Sequence, residues 1–249
     1  MNIQAARIFQ KVILPEKTIH IKLLGDSITH GVGGSGFVQD GEPITQGFAR
    51  NPHGYCWAKL FADYMESWYP CEVRNNACTG TAIEFILDRF DELVSPQDDI
   101  VLCVIGTNNR HQYYANAPMH TREQHMQAFY EHILALSDRF RAAGKDVVFV
   151  ANIPASADNE KSCAEYARLF HMSDVSDIYL KASLQRGFPL VNLYSAFLRD
   201  CEQRGITVDS LLADGLHPSD RGHETIFRLL MDEIGLSRSV EGLVPPSQA

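Results

Sequence analysis

The sequence has no apolar run of about 18 residues, the length a membrane-spanning helix needs, so none of it is suited to crossing a bilayer. Its six cysteines (Cys56, Cys71, Cys78, Cys103, Cys163 and Cys201) include no C-x-x-C pair, which excludes the usual structural zinc and dithiol redox motifs. Free thiols in a reducing compartment fit such scattered positions, with Cys103, inside an apolar run, serving as a small core residue. Positive charge is scarce: 22 Lys and Arg stand against 31 Asp and Glu, for a formal charge of −9. That balance argues against nucleic acid or an anionic membrane surface as a partner. No internal repeat or low-complexity tract is present. Met1–Lys17 lacks a charged segment followed by an apolar stretch and a small-residue cleavage site. The chain therefore reads as cytoplasmic, or as secreted if a leader has been removed.

What is there is an alternation of short apolar runs with amphipathic stretches, the pattern of an α/β fold with a largely parallel sheet. With 249 residues the chain can bury one substantial core without dividing, so a single domain is expected over residues 1–236. The tail from Ser237, with Pro245-Pro246 and little to bury, is expected to be poorly ordered. Strands are expected at Thr18–Leu24, Glu72–Asn75, Asp99–Ile105, Val147–Ala151 and Phe188–Leu193. Helices are expected at Tyr55–Trp68, Thr81–Leu93, Arg122–Ala143, Ala164–Gln185 (with a break near Ser173), Ser195–Arg204 and Asp220–Ile234. Gly31–Pro52 and Arg110–Pro118 read as irregular loops, long enough to be functional.

The strand ends carry the chemistry. The first strand stops at Gly25-Asp26-Ser27, the second at Asn75–Gly80 and the third at Gly106-Thr107-Asn108-Asn109. In a parallel sheet all carboxyl ends lie on one side, where such sheets bind ligands, so these turns can converge. Ser27 there fits a presented nucleophile, and equally a helix cap. Late in the chain Asp214-Gly215-Leu216-His217-Pro218 sets a carboxylate and an imidazole three residues apart. A hydrolytic serine needs a base to take its proton and a group that fixes the base's tautomer. His217 and Asp214 are of the right types, although the same pair fits a metal site or a solvated loop.

These four blocks, in this order, resemble the SGNH or GDSL-type hydrolases, a family of esterases and lipases. The resemblance runs from about Ile19 to Ile234, nearly the whole chain. It implies a flavodoxin-like, three-layer α/β/α sandwich on a five-stranded parallel sheet of strand order 2-1-3-4-5. It also implies Ser27 as nucleophile, His217 as base and Asp214 as its partner. The N–H groups of Ser27 and Gly80 and the Asn108 amide would form the oxyanion hole. No cofactor and no metal is called for. Asn109 departs from the family's usual aspartate at that position and loses a supporting carboxylate. Ala77 departs from a frequent glycine.

Other residues weigh less. Asp26 is expected to bond backbone groups of its own turn, and with His30 and Tyr113 it is a candidate to line the substrate pocket. Tyr114 lies in the loop after Asn108, and Phe37, Phe48, Arg50 and His53 lie within Gly31–Tyr55, a mixture suited to gripping a polar substrate. His125 and His132 are expected at solvent-exposed positions of the long helix, and His223 at a surface or helix-packing position. The reading this favours is an esterase for short acyl groups on a carbohydrate or similar polar molecule. The alternatives are a lysophospholipase or thioesterase of the same family, a non-catalytic carbohydrate-binding module, and a metal-dependent phosphoesterase. Because His217 must be neutral to act as base, activity should fall in acid; a rate that stays flat well below pH 5 would remove it from that role.

Overall fold

The computed structural model describes residues 1–37, 54–111, 121–161 and 168–237. The five strands are β1 (Ile19–Gly25), β2 (Cys71–Asn75), β3 (Ile100–Val104), β4 (Asp146–Ala151) and β5 (Leu190–Asn192). All neighbouring pairs run parallel, in the order β2-β1-β3-β4-β5. This is the three-layer α/β/α sandwich expected from the sequence.

Strand alternation explains the layers. Ile21, Leu23, Ile100, Leu102, Val104, Val148 and Val150 face one helical layer, while Leu24, Val101, Cys103, Val147 and Phe149 face the other. Successive side chains point to opposite faces of a sheet, so strands with both faces buried read as nearly continuous apolar runs. The first layer contains α1 (Ile3–Phe9), α3 (Trp57–Trp68), α9 (Leu193–Arg204) and α10 (Asp220–Glu233). The second contains α4 (Ile83–Asp88), α5 (Phe90–Leu93), α6 (Arg122–Ala142) and α8 (Met172–Arg186).

The structure differs from the sequence reading in several places. Thr81–Leu93 is not one helix: Arg89, at φ −112° and ψ 23°, separates α4 from α5. The Leu87 carbonyl beside that break accepts a hydrogen bond from Arg139 Nη1 at 2.5 Å. β5 is shorter than expected because Asn192 already caps α9, its Oδ1 accepting from Ser195 N–H at 3.0 Å. The helix expected from Ala164 starts at Met172, behind the short α7 (Ala157–Lys161). The first helix, α1, is not among the elements expected; Asn2 caps it by accepting from Ala5 N–H at 3.0 Å. The expected C-terminal tail from 238 onward lies outside the described residues. No helix among the described residues is long and apolar enough to cross a membrane.

Candidate active site

β1 delivers its last residue, Gly25, into a tight corner. A Cβ there would stand 2.4 Å from Thr29 Oγ1 and 2.8 Å from the Val104 carbonyl oxygen, so the strand-to-helix turn needs glycine. Asp26 follows as the N-cap of the one-turn helix α2 (Ser27–His30), its Oδ1 accepting from Ile28 N–H at 3.0 Å. Its Oδ2 accepts from Asn152 Nδ2 at 3.0 Å, and Asn152 also donates to Thr107 Oγ1 at 2.8 Å. Asp26 is 0% exposed, and burial raises its carboxyl pKa against hydrogen bonds from Thr107 and Ile28 that lower it. A carboxylate so enclosed ties the ends of β1, β3 and β4 together.

The next residue, Ser27, is 4% exposed, and its Oγ is 2.9 Å from His217 Nε2. On the other side of the ring, His217 Nδ1 is 2.7 Å from Asp214 Oδ2. Asp214 Oδ1 accepts from the backbone N–H of Leu216 (3.0 Å) and of His217 (2.8 Å), which closes the loop around the carboxylate. Burial raises the Asp214 pKa, but the His217 and Leu216 hydrogen bonds outweigh it and hold the carboxyl below its ordinary value. The side chain keeps 56% exposure while the imidazole has 17%. The geometry supports the passage of a proton from Oγ to Nε2 with Nδ1–H held by a carboxylate.

The other two strand-end turns lie alongside. Sheet register sets Leu23 against Asn75 and Gly25 against Val104. Asn76 N–H donates to the Leu23 carbonyl at 2.9 Å and Cys78 N–H to the Gly25 carbonyl at 3.1 Å, pinning the second turn to the first. Gly80, at φ +84°, adopts a left-handed conformation that glycine takes without cost. Among the described residues neither Ser27 N–H nor Gly80 N–H has a hydrogen-bond partner. Asn108 Nδ2 donates to the Thr81 carbonyl at 2.9 Å, which orients the amide and leaves it a second hydrogen to donate.

A family model describing the GDSL-like lipase/acylhydrolase family matches residues 23–225, a span that contains all four turns. The chain belongs to that family. As a GDSL-like acylhydrolase it is a carboxylic ester hydrolase by class. No curated protein sequence matches it. Among solved structures it is similar to Axe2, an acetylxylan esterase from Geobacillus stearothermophilus, with 18% identity and a TM-score of 0.65 over 88% of this chain and 95% of that one. It is also similar to a protein described as a GDSL-like lipase from Parabacteroides merdae, with 17% identity and a TM-score of 0.67 over 90% and 99% of the two chains. At such identity the likeness speaks for the fold.

Further residues support the site of this GDSL-like chain. His30, one turn after Ser27, accepts at Nδ1 from Thr79 N–H at 3.3 Å and lies 3.1 Å from Thr79 Oγ1. It thereby joins α2 to the turn that carries Gly80. Tyr113, Tyr114, Phe48, Arg50 and His53 lie outside the described residues; Phe37 packs edge-on against the His30 ring at 5.2 Å. His125 is not exposed: it is buried, with Nε2 2.6 Å from the Asn109 carbonyl oxygen. His132 is only 36% exposed and meets Glu84 Oε1 at 3.0 Å. His125 thus packs against the third turn and His132 against α4, contacts that hydropathy alone disguises. Burial raises Glu84, yet the bonds from His132 and Asn109 carry its pKa below the ordinary value, while the Glu84 bond raises His132. Asn152 was detectable only as one more polar residue at a strand end, and Glu84 left no signal in the sequence.

Proposed function

We propose that this chain is a serine esterase that removes short acyl groups, acetyl foremost, from a carbohydrate or similarly polar molecule. The observation that carries the reading is the unbroken hydrogen-bond path from Asp214 through His217 to Ser27, beside two backbone amides that have no partner among the described residues. In this reading Ser27 Oγ forms a bond to the acyl carbon as its proton passes to His217 Nε2. The carbonyl π electrons move onto oxygen. That oxyanion is met by the N–H groups of Ser27 and Gly80 and by the Asn108 amide, whose dipoles are fixed before the reaction starts. Collapse of the intermediate breaks the bond to the leaving alkoxide, which takes the proton from His217. Water then repeats the cycle on the acyl-enzyme, with His217 again as base, and releases the carboxylic acid and free Ser27. Asp214 keeps Nδ1–H in place and stabilises the transient imidazolium.

Support for a short acyl group comes from two sides. In the sequence, neither long loop, Gly31–Pro52 nor Arg110–Pro118, contains an extended apolar run to receive a lipid chain. The structurally similar Axe2 is an acetylxylan esterase, and its catalytic mutants fall at a serine, an aspartate and a histidine, the last two three positions apart like Asp214 and His217. The test is a p-nitrophenyl ester series together with a fluorophosphonate probe. A steep fall in kcat/KM beyond butyrate, with labelling that disappears in Ser27→Ala, is expected. A rise toward octanoate would turn the assignment to a lysophospholipase or thioesterase. A wild-type protein that takes no label would leave a binding module.

A further inference from the structure

Asn108, the side-chain donor of the proposed oxyanion hole, sits on a one-turn 3-10 helix, Asn108–Arg110, that has no side-chain cap of its own. His125 Nε2 meets its Asn109 carbonyl at 2.6 Å, Leu169 N–H donates to its Arg110 carbonyl at 2.7 Å, and a further set of cross-ties joins it to the segment after Gly80. Asn108 Nδ2 donates to the Thr81 carbonyl at 2.9 Å. The neighbouring Asn109, 2% exposed, uses both ends of its amide. Its Oδ1 accepts from Ile83 N–H at 3.0 Å, capping α4, whose own N-cap residue Ala82 has no side chain able to do so. Its Nδ2 donates to Glu84 Oε2 at 2.8 Å. The second oxygen of Glu84, Oε1, is held by His132 Nδ1 at 3.0 Å, a residue of the 21-residue helix α6.

The path His132–Glu84–Asn109 therefore runs from a long rigid helix to the residue adjoining the oxyanion donor. Donors and acceptors alternate along it without a mismatch. An aspartate at 109 would confront Glu84 with a second carboxylate at hydrogen-bond distance, and two like charges so close cannot both ionise. An asparagine at 109 and a glutamate at 84 thus form one matched unit.

We propose that Glu84, anchored by His132, is a positioning residue that fixes the Asn108 amide through Asn109 and so sets the turnover rate rather than substrate affinity. The inference rests on the serine-esterase reading above. It requires that Glu84 never touch substrate, and that its effect be transmitted by the orientation of the Asn109 amide.

The experiment measures kcat and KM for p-nitrophenyl acetate, with fluorophosphonate labelling rates and melting temperatures, for wild type, Glu84→Ala, Asn109→Asp and the double variant Asn109→Asp/Glu84→Gln. Displacing an oxyanion donor by a fraction of its bond length costs about 10- to 100-fold in rate. Glu84→Ala should lower kcat by about that factor with KM within about twofold. Asn109→Asp should be at least as slow. The double variant restores alternation, because the amide that Glu84→Gln introduces can donate through its nitrogen to the new carboxylate while its oxygen accepts from His132. It should recover kcat to within about fivefold of wild type. A Glu84→Ala enzyme with wild-type kcat, or a double variant as slow as Asn109→Asp at a wild-type melting temperature, overturns the inference. If Glu84→Ala fails to fold, the rescue comparison decides alone. A wild type that neither labels nor turns over overturns the esterase reading itself, a different result from an active wild type indifferent to Glu84.

Discussion

The Nε2 of His217 stands 2.9 Å from the Oγ of Ser27, although 190 positions of chain separate them. The contact arises because β1 ends inside the sheet, between β2 and β3, and the Asp214–His217 loop, leading into α10, comes back over that same end. Gly33 lies directly beneath the loop, where a Cβ would come within 2.3 Å of the Pro218 carbonyl oxygen. Two backbones this close hold the imidazole against α2 without any cross-link.

Asp214→Asn keeps the side chain's shape and can still accept from Leu216 and His217 N–H, but it removes the acceptor that selects the Nδ1–H tautomer. The expected result is a loss on the order of 10³ to 10⁴ in kcat with the melting temperature nearly unchanged. Because the aspartate is half-exposed, water can stand in for part of its role, and the lower end of that range is favoured. A loss below about tenfold would detach Asp214 from the reaction.

Asn108→Ala removes both the amide donor and its tie to Thr81. A drop of about 10²- to 10³-fold in kcat is expected, with KM changed far less, because the interaction develops with charge on the carbonyl oxygen. Steady-state kinetics on p-nitrophenyl acetate measures it. An effect confined to KM would make Asn108 a substrate ligand instead.

His223 is 0% exposed in α10, its Nε2 3.3 Å from the Val32 carbonyl oxygen. Burial lowers its pKa from 6.5 to about 4, with nearby His217 adding to the shift and the Val32 bond and Asp220 opposing it. Between those two values the unfolded chain takes up a proton that the folded protein refuses. Stability is therefore complete above about pH 6.5 and falls as the pH drops toward 4, by about 3 kcal/mol in all. In His223→Gln, which cannot titrate, urea midpoints should fall less steeply over the same window. Parallel curves for the two proteins would remove His223 as the source.

Gly25→Ala drives a methyl group into Thr29 and the Val104 carbonyl. Thr29 is itself 0% exposed and Val104 is paired in the central strand, so neither can yield freely. A destabilisation of about 1–3 kcal/mol, read as a lower denaturation midpoint, is expected. Unchanged stability would mean that this corner is looser than its contacts imply.

The sequence by itself determined the α/β alternation, the strands and the side chains that are candidates to react, and its resemblance to a family implied the layers and strand order. Apolar runs that end in Gly-Asp-Ser, Asn-Asn-Ala and Gly-Thr-Asn mark strands and their carboxyl ends through local chemistry alone. Asp214 and His217 carry their relation within three residues of chain, so that pair was legible too. Other features depended on sheet register and helix rotation, which no local pattern encodes. Whether His125 faced water or the third turn, and His132 water or Glu84, depended on how α6 sits on the sheet. Pairing Asp26 with Asn152 required β1 and β4, 126 positions apart, to end at the same level. The tie between Glu84 and Asn109 required α4 to start beside the end of β3. Such bonds form between groups brought together by packing, and only the tertiary structure states which groups those are.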